Sequence, residues 1–254
     1  MGGDDVVREY DALLERARLD PVVVGVVVFG SRALGAELHA GSDVDCFVIV
    51  DGDRDAWRPW QTAHGSPVEV WALTLDEFRA HARHGTETWW NRPSLIRARV
   101  DLDKLDGTIG ALVESKRRLA PEERAALVDP ALDDAINSIY RAMKTQERVR
   151  DLPARLDAIE AIAKILTAAF ALESRVRPWN KWLELEIARE PLTTPAFAGL
   201  LDLVRELTVD PSAGPLRVAF RMLEDAARAA GHGDVIDGWE PDVAWLRGEA
   251  AYRS

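Results

Sequence analysis

At 254 residues, 47% of them hydrophobic, the chain can fold as one large domain or two modest ones around a real core. Its formal charge of -11 argues against a general affinity for phosphate backbones, which depends on Lys and Arg, so no grip on duplex nucleic acid is expected. One cysteine, Cys46, excludes an internal disulfide, and the Cys and His residues lack zinc-site spacing. The acidic start MGGDDVVREYD and the absence of a long uncharged apolar run lead us to expect a soluble, cytoplasmic protein.

Residues 4–18 place Val7, Tyr10, Leu13 and Leu14 at helical spacing. Pro21 then opens the run VVVGVVVF, which has the composition of a buried strand and ends at Gly30. A second apolar run, VDCFVIV at 44–50, stops at Asp51-Gly52-Asp53, and PVEVWALT at 67–74 alternates like a half-buried strand. Thr74 is a candidate N-cap for a helix over 75–83, and SLIRARVDLD at 94–103 is a fourth strand candidate. The turn pair Asp106-Gly107 marks the expected boundary between a domain over 1–105 and a helical one over 106–254. In the latter, helices are predicted over 108–119, 122–150, 154–174, 180–189, 196–208 and 214–230, with prolines at the breaks.

The stretch FGSRALGAELHAGSDVDCFVIV, residues 29–50, carries the chemistry. Glycine at position 30 lets backbone approach a phosphate without a side chain in the way, and Ser31 adds a hydroxyl. Arg32 follows, able to reach a phosphate oxygen or to pair with Glu37. The chain then returns as a strand bearing Asp43-Val44-Asp45, whose period of two puts both carboxylates on one face and Val44 in the core. Paired hard oxygen ligands suit Mg²⁺ held jointly with substrate phosphates. Glu69, the one acid in the third strand, is the candidate to complete a two-metal site, with ions about 3.5–4 Å apart. Cys46, facing away from Asp45, is expected to be a small buried hydrophobe.

Phe29, Gly30 and Ser31, followed by Asp43 and Asp45, resemble the signature of the DNA polymerase beta-like nucleotidyltransferase superfamily. The resemblance covers about the first hundred residues. It implies an α+β fold with a mixed sheet, two divalent metals, an NTP co-substrate and transfer of a nucleoside monophosphate with release of pyrophosphate. The helical half resembles the C-terminal domain of aminoglycoside (kanamycin-type) nucleotidyltransferases through YRAMK at 140–144 and RPWNKWLELE at 177–186. That likeness implies a bundle closing over the acceptor.

Within the bundle, Asn137, Arg141, Lys144 and Arg148 share a helix face apart from the apolar stripe Ile136, Tyr140 and Met143, and Lys144 is the expected phosphate contact. Lys181 is a second candidate, in a segment where Pro178 sets the turn, Asn180 caps a helix and Trp179 and Trp182 pack. Trp89-Trp90 is placed to stack a base or a sugar-like acceptor, while Trp57, Trp60, Trp239 and Trp245 are expected to pack in the core. The general base is left open among Glu69, Glu87, Asp157 and Glu173. The expected function is Mg²⁺-dependent transfer of a nucleoside monophosphate, AMP from ATP, to a hydroxyl of a small molecule such as an aminoglycoside. A protein side chain as acceptor, or a catalytically idle nucleotide-binding module, are the alternatives.

Overall fold

The structure, a computed structural model, describes residues 3–35, 42–148 and 152–252. The first elements are α1 (Gly3–Leu19), β1 (Val23–Phe29), α2 (Gly30–Leu34), β2 (Val44–Val50), α3 (Arg54–Trp57), β3 (Val68–Thr74), α4 (Leu75–Ala80), β4 (Arg99–Asp103) and α5 (Thr108–Arg117). The strands form one sheet in the order β3-β2-β1-β4. β1 runs antiparallel to both β2 and β4, and β2 runs parallel to β3, so the sheet is mixed. β1 is buried along its whole length, which its β-branched, uncharged sequence requires.

Alternation divides the sheet into two faces. One face carries Val26, Val28, Val44, Cys46, Val48, Val68 and Val70, packed with Val6, Tyr10 and Ala17 of α1 and with Trp60. Arg16 lies over the Trp60 ring at 3.9 Å. The other face carries Val27, Phe29, Phe47 and Ile49, covered by Phe78 of α4, by Leu95, and by Ile109 and Val113 of α5. Cys46 is fully buried, and its thiol is pushed up to about 12 by burial and then by the negative charges of Asp45 and Asp101. It is the inert small hydrophobe that its position suggested.

The boundary differs from the one expected at 105/106. The compact units are Met1–Arg118 and Leu119–Ser254, so α5 belongs to the first. The reason is close packing of α5 on β1, where a Cβ on Gly25 would stand 2.9 Å from Ile109 Cγ1. Residues 94–98 also depart from the strand reading: a 3₁₀ turn over Trp89–Leu95 occupies their start, and β4 begins only at Arg99. Pro93 and the buried Arg92 account for this, because proline leaves no donor for a ladder bond. Thr74 caps α4 as expected, in a full capping box with Glu77.

The second unit contains α6 (Pro121–Arg148), α7 (Leu152–Leu172), α8 (Leu183–Arg189), α9 (Leu200–Val209), α10 (Ala213–Ala229), α11 (Gly233–Asp237) and α12 (Val243–Arg247). α6 packs along α7, whose buried Ala154, Ala158, Ala161, Ala168 and Ala169 let the two backbones come close. α11 and α12 were not foreseen, being too short for a periodic signal. Among the described residues, no helix is long and apolar enough to cross a membrane.

Candidate metal centre

The register of the sheet sets the site. Phe29 of β1 pairs with Asp45 of β2, and Asp45 pairs with Glu69 of β3, which aligns the end of β1 with both acids in one row. Asp43 lies just before β2 and is exposed, Asp45 is half-buried and Glu69 is 8% exposed. Val44, between the two aspartates, is buried in the opposite face. One carboxylate oxygen from each of Asp43, Asp45 and Glu69 lies within 4.8 Å of the others. Like charges this close repel, and three hard oxygen donors from rigid strand positions match what Mg²⁺ accepts, so the residues fit a divalent cation.

Gly30 is part of the same construction. Its φ is +71°, and a Cβ placed there would stand 2.7 Å from Asp45 Oδ2. Any side chain at position 30 would therefore displace the carboxylate as well as strain the backbone. α2 starts at this glycine, with Ser31 half-buried in its first turn. Arg32 donates from Nη2 to the carbonyl of Ser42 at 2.8 Å, which ties α2 to the residue before Asp43. Its Nε is buried with no partner among the described residues. Glu37, the alternative partner considered for Arg32, lies outside the described residues.

Glu69 is held from several sides. His64 Nδ1 lies 3.1 Å from Oε1 and 3.0 Å from Oε2, the Gly65 amide donates to Oε2 at 3.1 Å, and Trp71 Nε1 donates to Oε1 at 3.1 Å. Burial opposes its ionisation, but these bonds outweigh it and hold the carboxyl below its usual range. The same contact raises the pKa of His64, whose ring is otherwise in solvent. His64 was not foreseen as a partner of Glu69, whereas Trp71 is expected on the same face of the strand. Trp71 follows from period two on β3, but nothing in the sequence announces a turn that folds His64 back.

The predicted cationic contacts Lys144 and Lys181 lie in the second unit. Lys144 Nζ sits over the rings of Tyr140 at 5.3 Å and Tyr252 at 5.8 Å, and hydrogen bonds to Tyr252 and then Tyr140 raise its pKa. Arg141 of the same face pairs with Asp157 at 3.1 Å, so part of the basic stripe is engaged by α7. Lys181 is exposed with its ammonium 4.6 Å from the centre of the Trp182 ring. Asn180 does not cap: its Oδ1 accepts from Arg177 Nη2 at 2.6 Å, and the turn over Asn180–Trp182 has Trp179 at its N-cap. Of the general-base candidates, Asp157 accepts from Thr145 at 2.7 Å and Glu173 from the Thr194 amide at 2.7 Å, while Glu87 is exposed. Trp60 and Trp245 are buried as expected, and the half-buried Trp239 donates to Asp133 at 3.0 Å.

The first unit is thus a mixed four-stranded sheet with flanking helices, with three carboxylates gathered beside a glycine that opens a helix. Residues 11–101 match the family model described as the nucleotidyltransferase domain, a stretch that includes Gly30 and all three acids. No curated protein matches the chain. The crystal structure of a nucleotidyltransferase-like protein from Exiguobacterium sibiricum 255-15 is similar over 87% of this chain and 74% of that one, at 13% identity and a TM-score of 0.45.

Proposed function

We propose that the chain is a Mg²⁺-dependent nucleotidyltransferase that moves a nucleoside monophosphate, AMP from ATP in our reading, to a hydroxyl of a small-molecule acceptor. The carrying observation is the meeting of Asp43, Asp45 and Glu69 within 4.8 Å inside the stretch that matches the nucleotidyltransferase domain. Two divalent ions bound there would neutralise charge on the attacking and leaving oxygens. The chain's own part is largely positioning and electrostatics. Asp43, Asp45 and Glu69 hold the metals, Gly30 leaves room for Asp45, and Ser31 contacts the distal phosphates. Arg32 fixes the approach to Asp43 through Ser42 and keeps further N–H groups for phosphate. Lys144 and Lys181 are the proposed cationic contacts to the nucleotide. In the transfer, a bond forms between the acceptor oxygen and the α-phosphorus, the bond to pyrophosphate breaks, and Glu69 is our candidate to take the hydroxyl proton.

An aminoglycoside-like acceptor is supported by the likeness of residues 140–144 and 177–186 to the kanamycin-type enzymes and by a net charge of -11, which suits a polycation. The test incubates the protein with labelled ATP, Mg²⁺ and panels of aminoglycosides and of proteins, followed by mass spectrometry. A nucleotidylated small molecule is expected, with pyrophosphate released in step. Labelled protein alone would transfer the reading to a protein adenylyltransferase. Tight nucleotide binding without pyrophosphate from any acceptor would make the chain a regulatory module.

A further inference from the structure

Two adjacent tryptophans in the segment between α4 and β4 are treated differently by the fold. Trp89 turns inward, edge-on to His84 at 5.4 Å between ring centres, with the Arg92 guanidinium 5.4 Å from its ring. Trp90 is 55% exposed, more than any other Trp, Tyr or Phe side chain among the described residues. Its ring rests on Trp71 at 5.9 Å, and Trp71 donates to Glu69 at 3.1 Å. An open indole surface therefore stands one ring away from a carboxylate of the candidate metal centre.

The segment that carries Trp90 is firmly held. Arg92, 1% exposed, donates to the carbonyls of Lys116 at 2.6 Å, Ala82 at 2.7 Å and Arg118 at 2.7 Å. Lys116, also buried, donates to the carbonyls of His81 at 2.8 Å and Arg79 at 3.0 Å, and Thr88 Oγ1 accepts from the Ala82 amide at 2.9 Å. A surface fixed in advance loses little freedom when a flat ligand stacks on it.

We propose that Trp90 is the stacking surface for the base of the nucleoside triphosphate. This rests on the reading under Proposed function, and its geometry follows from in-line transfer. Phe29, Asp45 and Glu69 lie in one row across the strands, with Gly30 at one end and Glu69 at the other. Pyrophosphate leaving toward Gly30 and Ser31, and a hydroxyl attacking from the Glu69 side, define an axis along that row. The 5′-oxygen of the nucleoside is neither the attacking nor the leaving group, so it departs from the axis roughly at right angles, and one direction open to it runs along the strands. On the acid-bearing face, the next residue of β3 in that direction is Trp71, and the ring against it is Trp90. Every base has a π-face, so this surface supplies affinity with little choice among bases.

The test compares, by calorimetry on the full chain in Mg²⁺, the affinity for a nonhydrolysable ATP analogue with that for inorganic tripolyphosphate. The ratio isolates the contribution of the nucleoside. In Trp90→Ala the ratio should fall by about tenfold or more, with tripolyphosphate affinity unchanged, and Trp90→Phe should keep most of it. The exposed position should leave the melting temperature of both variants near that of the parent. An unchanged ratio in Trp90→Ala overturns the stacking while leaving the metal centre intact. If the ratio holds but turnover with an acceptor falls, the surface belongs to the acceptor and the proposal is also overturned. A parent protein that binds neither ligand removes the metal reading and the stacking together.

Discussion

Glu69 and Glu224 are both nearly buried carboxylates, 8% and 5% exposed, and the chain answers them in different ways. Glu224 on α10 is bracketed by two guanidinium groups: Arg228 Nε at 2.9 Å, and Arg247, which reaches it through Nε at 2.8 Å and through Nη2. The bond to Arg247, more than offsetting burial, holds its carboxyl below the usual range. Glu69 meets an indole, a backbone amide and an exposed imidazole, and it shares its end of the sheet with Asp43 and Asp45. A carboxylate closed by two arginines is finished structure. One that joins two further acids concentrates negative charge that a divalent cation would relieve.

Substitutions at the two places should therefore fail in opposite ways. Asp45→Asn should lower turnover by about 10³-fold or more if the proposed metal centre holds, because a carboxylate ligand is lost while shape is kept, and should leave the melting temperature almost unchanged. A fully active Asp45→Asn enzyme, read by pyrophosphate release, would end the comparison. Glu224→Gln should do the reverse, costing about 2 kcal/mol in urea unfolding because a neutral amide replaces the carboxylate between two partly exposed guanidinium groups, with kcat per folded molecule unchanged. Between these lies Gly30→Ala, where the new Cβ meets Asp45 Oδ2 in a left-handed backbone position. A loss of about 10²-fold in turnover with only about 1–2 kcal/mol in stability is expected, and a larger loss of stability than of turnover would count against Gly30 as the residue that leaves room for Asp45.

The acid end was legible because its residues follow simple periods. Asp43, Val44 and Asp45 alternate across the sheet, and an apolar run that ends in Gly-Ser has few other readings. What surrounds Glu69 was less legible, since His64 reaches it through a turn, which no period describes. Arg92 was hidden more completely. A charged residue before a proline suggests surface, yet its guanidinium donates to the main-chain carbonyls of Ser115, Lys116 and Arg118 at the end of α5 and to that of Ala82, in a buried turn that ends just before β4. In the helical unit, long amphipathic stretches announced α6, α7 and α10, but the Glu224 cluster depends on Arg247 of a five-residue helix.

The aromatic floor of the acid-bearing face carries its own pH dependence. His81 is buried against Phe47, at 4.9 Å between ring centres, and its Nε2 accepts from Asn91 at 3.0 Å. Burial, reinforced by the Lys116 charge, pushes its pKa down to about 4. The unfolded chain takes up this proton near pH 6.5 and the native chain does not, so stability is lost as pH falls from about 6.5 toward 4, by about 1.4 kcal/mol per unit. Urea unfolding at pH 7 and pH 5 should differ by about 2 kcal/mol from this group, and His81→Gln should remove that part of the slope. A slope that survives unchanged in His81→Gln would mean that other groups carry it and that His81 takes up its proton alike in the native and unfolded chains.

The smallest effect expected is at Lys144. Its ammonium is shared between the Tyr140 and Tyr252 rings at an exposed site, where water screens such contacts, so its loss should barely change unfolding. If it also serves the nucleotide, Lys144→Ala should raise KM for MgATP about threefold to tenfold with kcat nearly unchanged, and added salt should narrow the gap to the parent. The same substitution separates the two kinds of charge in this chain. A KM that does not move would place Lys144 with Arg228 and Arg247, as a cation that only holds its own unit together.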